Sequence, residues 1–372
     1  MAEIAKYHLR DVYNMDETGL YYRMLPDRCL TVESATKGIK RAKTRISLAL
    51  TSNADGTDKL KPLVIGHAKK LRCFLHFRPD LHVDYFANKK AWMTAVIFSG
   101  WLLQFDRRMK RENRNVLLLL DNASSHIAPS NDQGQSILTN VKVHFLPPTT
   151  SHLQPMDGGI IKAFKAHYRR RQIRHLIDAY DAGRTPDLQL NEAIRFLKMA
   201  WDDIEESTIF NCWKHVKILR TASTGTIASA DIPMSSPATS TARDYGNIFE
   251  RMAEACNIPA ERLMTPEEFE SVDSAIVTGE DLTDEEIVEL SCTDTTNGGD
   301  DVDDDVEVPC PPSSIEAKAA IDLMFRYLEA HSSSTDSSLK AARRLQIEID
   351  RVSVATAKQT SITDFFKSSS SA

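Results

Sequence analysis

Three aspartates stand where a fold can bring carboxylates to one edge. Asp16 closes the stretch VYNMDETG, Asp121 follows the apolar run NVLLLL, and Asp157 lies in HLQPMDGG, just ahead of a basic, helix-like stretch. Open sheets hold ligands outside the carboxyl ends of their strands, so a strand as apolar as NVLLLL that stops at Asp-Asn sets Asp121 at such an edge. Taken singly, each aspartate reads as a turn or cap residue, because Asp caps helices well and suits the positive end of the helix dipole. Taken together, with 35 residues between Asp121 and Asp157, they are candidate metal-binding carboxylates.

The elements that must position them follow from hydrophobic patterning. Asp11–Met15 is a predicted strand, with Leu20–Leu25 as its hairpin partner or continuation. Arg45–Thr51 alternates polar and apolar residues, then Asn53-Ala54-Asp55-Gly56 supplies turn chemistry ahead of Leu60–Gly66, which predicts a hairpin. Lys89–Arg111 carries Trp92, Val96, Phe98, Trp101, Leu102 and Phe105 at helical spacing. Asn115–Leu120 is the kind of continuous apolar run expected of a central strand covered on both faces. Val141–Leu146 is a shorter strand stopped by Pro147-Pro148, and Ile160–Ala182 has the period of an amphipathic helix.

Composition excludes several classes of function. The chain has 372 residues, 42% of them hydrophobic, and no apolar run near the ~18 residues a bilayer requires. Its start lacks the apolar centre of a secretory signal. The six cysteines contain no C-x-x-C pair, which argues against a disulfide scaffold or a cysteine zinc site and for reduced thiols. The net charge of −6 hides a division: residues 1–222 hold 35 Lys and Arg against 23 Asp and Glu (+12), and residues 223–372 hold 11 against 29 (−18). A basic body suits a polyanionic partner. Four regions are therefore expected: 1–222 as the folded body, 223–314 as a linker and acidic disordered segment, 315–352 as a helical segment, and 353–372 as a disordered tail. Ile321, Phe325 and Leu328, with Leu345, Ile349 and Val352, give the third region the spacing of a helical hairpin or a dimerisation element.

NMDETGL (14–20), LLLLDNASSH (117–126) and LPPTTSHLQPMDGGIIKAFK (146–165) resemble, in order and spacing, the three signature blocks of DDE transposases of the pogo/Tigger branch. That branch includes jerky-like and centromere-protein-B-like genes. The resemblance implies an α/β fold: a ribonuclease-H-like mixed sheet flanked by helices, followed here by a largely disordered acidic tail with a short helical segment. It implies a catalytic triad of Asp16, Asp121 and Asp157 that binds two ions of Mg²⁺ or Mn²⁺, with Asp16 bridging both. Strand cleavage and strand transfer are in-line displacements at phosphorus, which two cations promote by activating the nucleophile and stabilising the leaving oxygen. Hard cations of this kind accept a few carboxylates plus water and substrate phosphate. Asn122 and His126 are candidate supports that orient water or phosphate. Glu17, next to Asp16, is expected to face away from the metals because neighbours on a strand face opposite sides.

Lys162, Lys165, Arg169, Arg170 and Arg174 line the predicted basic helix and are candidate contacts to a DNA backbone. Lys40–Arg45 is a candidate nuclear-localisation cluster. In the tail, Gln359, Ile362, Phe365 and Phe366 meet every specified position of the box that binds the sliding clamp, proliferating cell nuclear antigen; one helical turn would bring the apolar three to one face. Complete family members begin with helix-turn-helix modules, for which the residues before Asp16 leave no room. The sequence is thus expected to hold a nuclear DDE endonuclease core without its targeting module, or a domesticated DNA-binding derivative without turnover.

Overall fold

The computed structural model describes residues 3–26, 44–131, 133–147, 154–184, 188–218, 250–251, 260–273, 276, 312–330 and 336–356. The chain divides into two units, 1–303 and 304–372. The clamp-type box at 359–366 and residues 40–43 of the basic cluster lie outside the described residues.

The first unit is built on strands β1 (Val12–Tyr21), β2 (Arg45–Asn53), β3 (Leu63–Gly66), β4 (Asp84–Ala87), β5 (Val116–Leu120) and β6 (Val141–Phe145). They form one sheet in the order β4-β3-β2-β1-β5-β6. β1, β2 and β3 are an antiparallel meander, and β5 and β6 add on parallel to β1. With helices on both faces, this is the ribonuclease-H-like mixed sheet that the sequence leads one to expect. The expected hairpin is β2–β3. The apolar run is β5, all five of whose side chains are buried. Each such side chain contributes about 2 kcal/mol of transfer free energy.

Two cores cover the two faces. On one, α1 (Ala95–Arg111) packs Phe98, Trp101, Leu102 and Phe105 against Tyr13, Met15, Leu118 and Leu120. On the other, α2 (Ile161–Asp181), α3 (Leu190–Asp202) and α4 (Glu206–His215) pack on Val12, Leu20, Leu48, Leu117 and Leu119. α1 starts later than its apolar spacing predicts, at the Thr94 cap, whose hydroxyl accepts the Ile97 N–H. β1 also differs from expectation. It runs unbroken through Asp16 to Tyr21, so Leu20 continues the strand and Asp16 lies inside it.

Residues 260–273, within the stretch expected to be a linker, pack on the first unit's fold. They carry the helix α5 (Pro266–Ser271), begun by a capping box of Thr265 and Glu268, and bury Met264 and Phe269 against Met24, Ile173 and Leu176. Asp273 accepts the Tyr21 N–H at 2.8 Å, tying the segment to the end of β1. So few apolar residues are diluted within a long acidic stretch, which is why composition assigns them to a linker.

The second unit contains α6 (Ser314–Ala330) and α7 (Asp336–Thr356), packed on each other as the expected helical pair. Ile321 and Ala342 are buried, and Lys318 meets Asp350 at 3.0 Å. No helix among the described residues is long and apolar enough to cross a membrane.

Candidate active site

Backbone register brings the first two aspartates together. β1 and β5 run parallel, with Val12, Tyr13 and Asn14 opposite Leu117, Leu118 and Leu119. Continuing that register by two residues sets Asp16 level with Asp121, on neighbouring strands about 4.8 Å apart. Asp121 is the first residue beyond β5, where the strand has ended and its carboxylate reaches the carboxyl edge of the sheet.

The third aspartate is delivered by a turn of π-helix, Met156–Ile160, that leads into α2. Asn14 fixes this turn to the sheet. Its side-chain amide donates to the Leu119 carbonyl at 3.0 Å and to Gln154 Oε1 at 3.2 Å, and its oxygen accepts the Met156 N–H at 3.0 Å. One fully buried residue of the first block thereby joins the second and third. The Gly-Gly pair after Asp157 has its own cause. Gly159 sits at φ 136°, which favours glycine, and a Cβ on Gly158 would lie 2.7 Å from Val216 Cγ1, just beyond α4.

Asp16, Asp121 and Asp157 thus lie near enough to act on one another electrostatically. Asp16 is buried, and its carboxyl is pushed well above the usual carboxylate range by burial first, then by Asp157, Glu17 and Asp121. Asp157 is raised by burial and by Asp121, against a hydrogen bond from Asp16 and the charge of Lys165. Carboxyls crowded in this way favour a cation among them. Hard oxygen donors in surplus fit Mg²⁺ or Mn²⁺.

A second cluster, only half anticipated, lies across the sheet. Alternation along β1 turns Glu17 to the α1 face, as expected, yet Glu17 is not a bystander. Its carboxylate accepts from His126 Nε2 at 3.0 Å, and His126 Nδ1 lies 2.7 Å from Asp121 Oδ1. The His126 side chain is wholly enclosed, its ring 4.7 Å from that of Phe98. Burial pulls the imidazole pKa down, but Glu17 and Asp121 together push it up to about 10. In return, Asp121, which burial raises, is held below its usual value by His126. Glu17, Asp121 and His126 each offer a ligand atom within 4.8 Å of the others. Strand alternation gives the face on which Glu17 lies; nothing local in the sequence announces His126 as its partner. Asn122 is exposed beside Asp121 and makes no side-chain hydrogen bond among the described residues.

The basic helix α2 separates into two sets. Lys162 and Arg174 are exposed and Arg170 is half-buried, whereas Lys165 and Arg169 are buried. Arg169 corrects the expectation of a DNA contact. It is fully enclosed, reaches Asp273 at 2.5 Å and the Tyr21 carbonyl at 3.0 Å, and stacks over the Phe269 ring. Burial draws Lys165 below its ordinary pKa, with Asp273 and Asp157 opposing that shift. The signal was present in the spacing: Arg169 follows Lys165 by four residues and precedes Gln172 by three, on the stripe that also holds Phe164, Ile173 and Leu176.

The chain is similar to known proteins across this same region. A family model described as DDE superfamily endonuclease matches residues 43–213, which include Asp121 and Asp157 and follow Asp16. Over 330 residues the chain is 30% identical to Tigger transposable element-derived protein 4 of Mus musculus, covering 87% of this chain and 62% of that protein. It is 34% identical over 221 residues to CENP-B homolog protein 2 of Schizosaccharomyces pombe, covering 56% and 42% of the two. It is 35% identical over 210 residues to the Homo sapiens Major centromere autoantigen B, covering 56% and 33%. The chain therefore spans between 33% and 62% of the length of these curated relatives. Among solved structures, the Mos1 transposase paired-end complex with left transposon end is similar at 13% identity and a TM-score of 0.35, over 58% of this chain and 55% of that one.

Proposed function

Because this chain belongs to the DDE superfamily of endonucleases, as a relative of the Tigger and CENP-B proteins, we propose that it is a metal-dependent DNA endonuclease or transposase core. Asp16, Asp121 and Asp157 are its catalytic residues and would hold two ions of Mg²⁺ or Mn²⁺. The observation that carries this reading is the nearness of Asp16, Asp121 and Asp157, residues from distant segments that interact electrostatically and raise the proton affinity of Asp16 and Asp157, crowding that a cation would relieve. When bound, the ions supply an activated water or 3′-hydroxyl and stabilise the leaving oxygen.

The chain's own groups do the rest. Asp16 would serve as a ligand, and Asn14 keeps the Asp157 turn against the strands. Asn122, exposed at the mouth, is placed to meet a phosphate or water. Lys162, Arg170 and Arg174 offer a charged face to the DNA backbone, with Arg169 serving structure instead.

A second reading, DNA binding without turnover, draws support from the similarity to centromere autoantigen B. Nicking of supercoiled plasmid at low salt with Mg²⁺ or Mn²⁺ separates the two. Metal-dependent nicking lost in Asp121→Asn supports the enzyme; duplex binding without nicking supports the binder.

Two partners and a location complete the proposal. Gln359, Ile362, Phe365 and Phe366 fit a sliding clamp, and with DNA as substrate the protein would act in the nucleus. α6 and α7 leave Ile315, Leu323, Leu345 and Ile347 exposed, a surface suited to a second copy in a homodimer. A monomeric mass for the full chain in solution would remove the dimer.

A further inference from the structure

We propose that Glu17 is a positioning residue that acts through His126 to orient Asp121. This rests on the reading of Asp121 as a metal ligand. Asp121 needs such a device: it lies past the end of β5, and its side chain is 41% exposed. A carboxylate there can rotate unless something fixes it. Two groups do so: His126 Nδ1, 2.7 Å from Oδ1 and 3.4 Å from the Asp121 carbonyl, and the Ala123 N–H, which donates to Oδ1 at 3.3 Å. Both meet Oδ1, so Oδ2 is the oxygen left to face a cation.

His126 is itself held from behind. Its ring is enclosed against Phe98, and Nε2 points at Glu17 Oε1 at 3.0 Å. Glu17 and Asp121 meet the ring at its two nitrogens, so Glu17 fixes the ring orientation that brings Nδ1 to Asp121. The carboxylate behind the imidazole fixes a metal-ligating group one step removed, as outer-shell carboxylates do for ligating histidines. Without Glu17 the ring can tilt, and Asp121 loses its anchor. Adjacent residues of β1 thus serve opposite faces of the site: Asp16 would hold the cation, and Glu17 sets the angle of Asp121, just beyond β5.

The test is Mn²⁺ binding to the full chain, read from the electron paramagnetic resonance of the unbound ion. Parent, Glu17→Ala, Glu17→Gln, Asp16→Asn and Asp121→Asn are compared, each with a thermal melt to establish folding. Glu17→Ala is expected to weaken Mn²⁺ binding about 10- to 100-fold. Glu17→Gln, whose amide oxygen still accepts from Nε2, should restore most of that loss. A folded Glu17→Ala, or a folded Glu17→Gln if the alanine variant fails to fold, that shows parental affinity with a parental metal dependence of plasmid nicking overturns the inference and leaves the metal site standing. Binding lost in Glu17→Ala but kept in Asp16→Asn also overturns it, by making Glu17 a ligand in a cluster with Asp121 and His126. A parent chain that binds no Mn²⁺ overturns instead the proposed function on which the inference rests.

Discussion

The two sides of β1 solve the same electrostatic problem in opposite ways. On the α2 side, Asp16 and Asp157 lie together, and each is raised, first by burial and then by neighbouring carboxylates, Asp157 and Glu17 for the one and Asp121 for the other. On the α1 side, Glu17 and Asp121 are also close, yet His126 stands between them as a built-in cation. One side carries its own counter-charge and the other calls for one from outside. The difference teaches where metal belongs. A site that supplied an imidazolium to every carboxylate would have no electrostatic reason to recruit a divalent ion.

The largest expected effect breaks the α2 side. Asp157→Asn should cut metal-dependent plasmid nicking about 10²- to 10³-fold, since a lost ligand removes several kcal/mol of transition-state stabilisation. Initial rates at saturating metal check it. Stability sharpens the contrast next, because the two sides should answer with opposite signs. His126→Ala strands Glu17 as a buried, unpaired charge and should cost about 3 kcal/mol in urea unfolding. Asp16→Asn removes like-charge repulsion and should stabilise the metal-free protein at neutral pH by about 1 kcal/mol.

The pH dependence divides the same way. Asp16 has a folded pKa above its unfolded value, so its stabilisation is full in acid and is lost as pH rises through the folded pKa. Metal-free protein should lose that contribution as pH rises through the raised value, and added Mg²⁺ should offset the loss. His126 is also raised, so its contribution is full below pH 6.5 and is lost only as pH approaches about 10. Chemical denaturation across pH, with and without Mg²⁺, checks both. The smallest effect lies outside the contrast. Lys162→Ala and Arg174→Ala should each lower the slope of log affinity against log salt by about 0.9, with nearly uniform loss across DNA sequences.

Much of this arrangement is legible in the sequence. The five apolar residues of β5 announce a central strand, and the Asp-Asn that ends it announces an edge. The β2–β3 hairpin and α2 follow from alternation and helical period. What escapes is long-range. Glu17 can be assigned to a face, but its partner His126 is 109 residues away, and no local pattern joins them. Arg169 reads as a charge for DNA because its counter-ion, Asp273, is 104 residues distant in a stretch whose composition suggests no fold. Asn14 was equally silent, since its value lies in three partners that meet only after the sheet has formed. Periodicity reports which way a side chain faces; tertiary structure decides what it finds there.

The central claim is that the cation enters on the Asp16–Asp157 side. Calorimetric titration of Mg²⁺ into the full chain, parent beside Asp16→Asn, tests it most directly. The account predicts saturable binding in the parent and its loss in Asp16→Asn, with the variant still folded and no less stable in the absence of metal. Equal binding by the two proteins would contradict it.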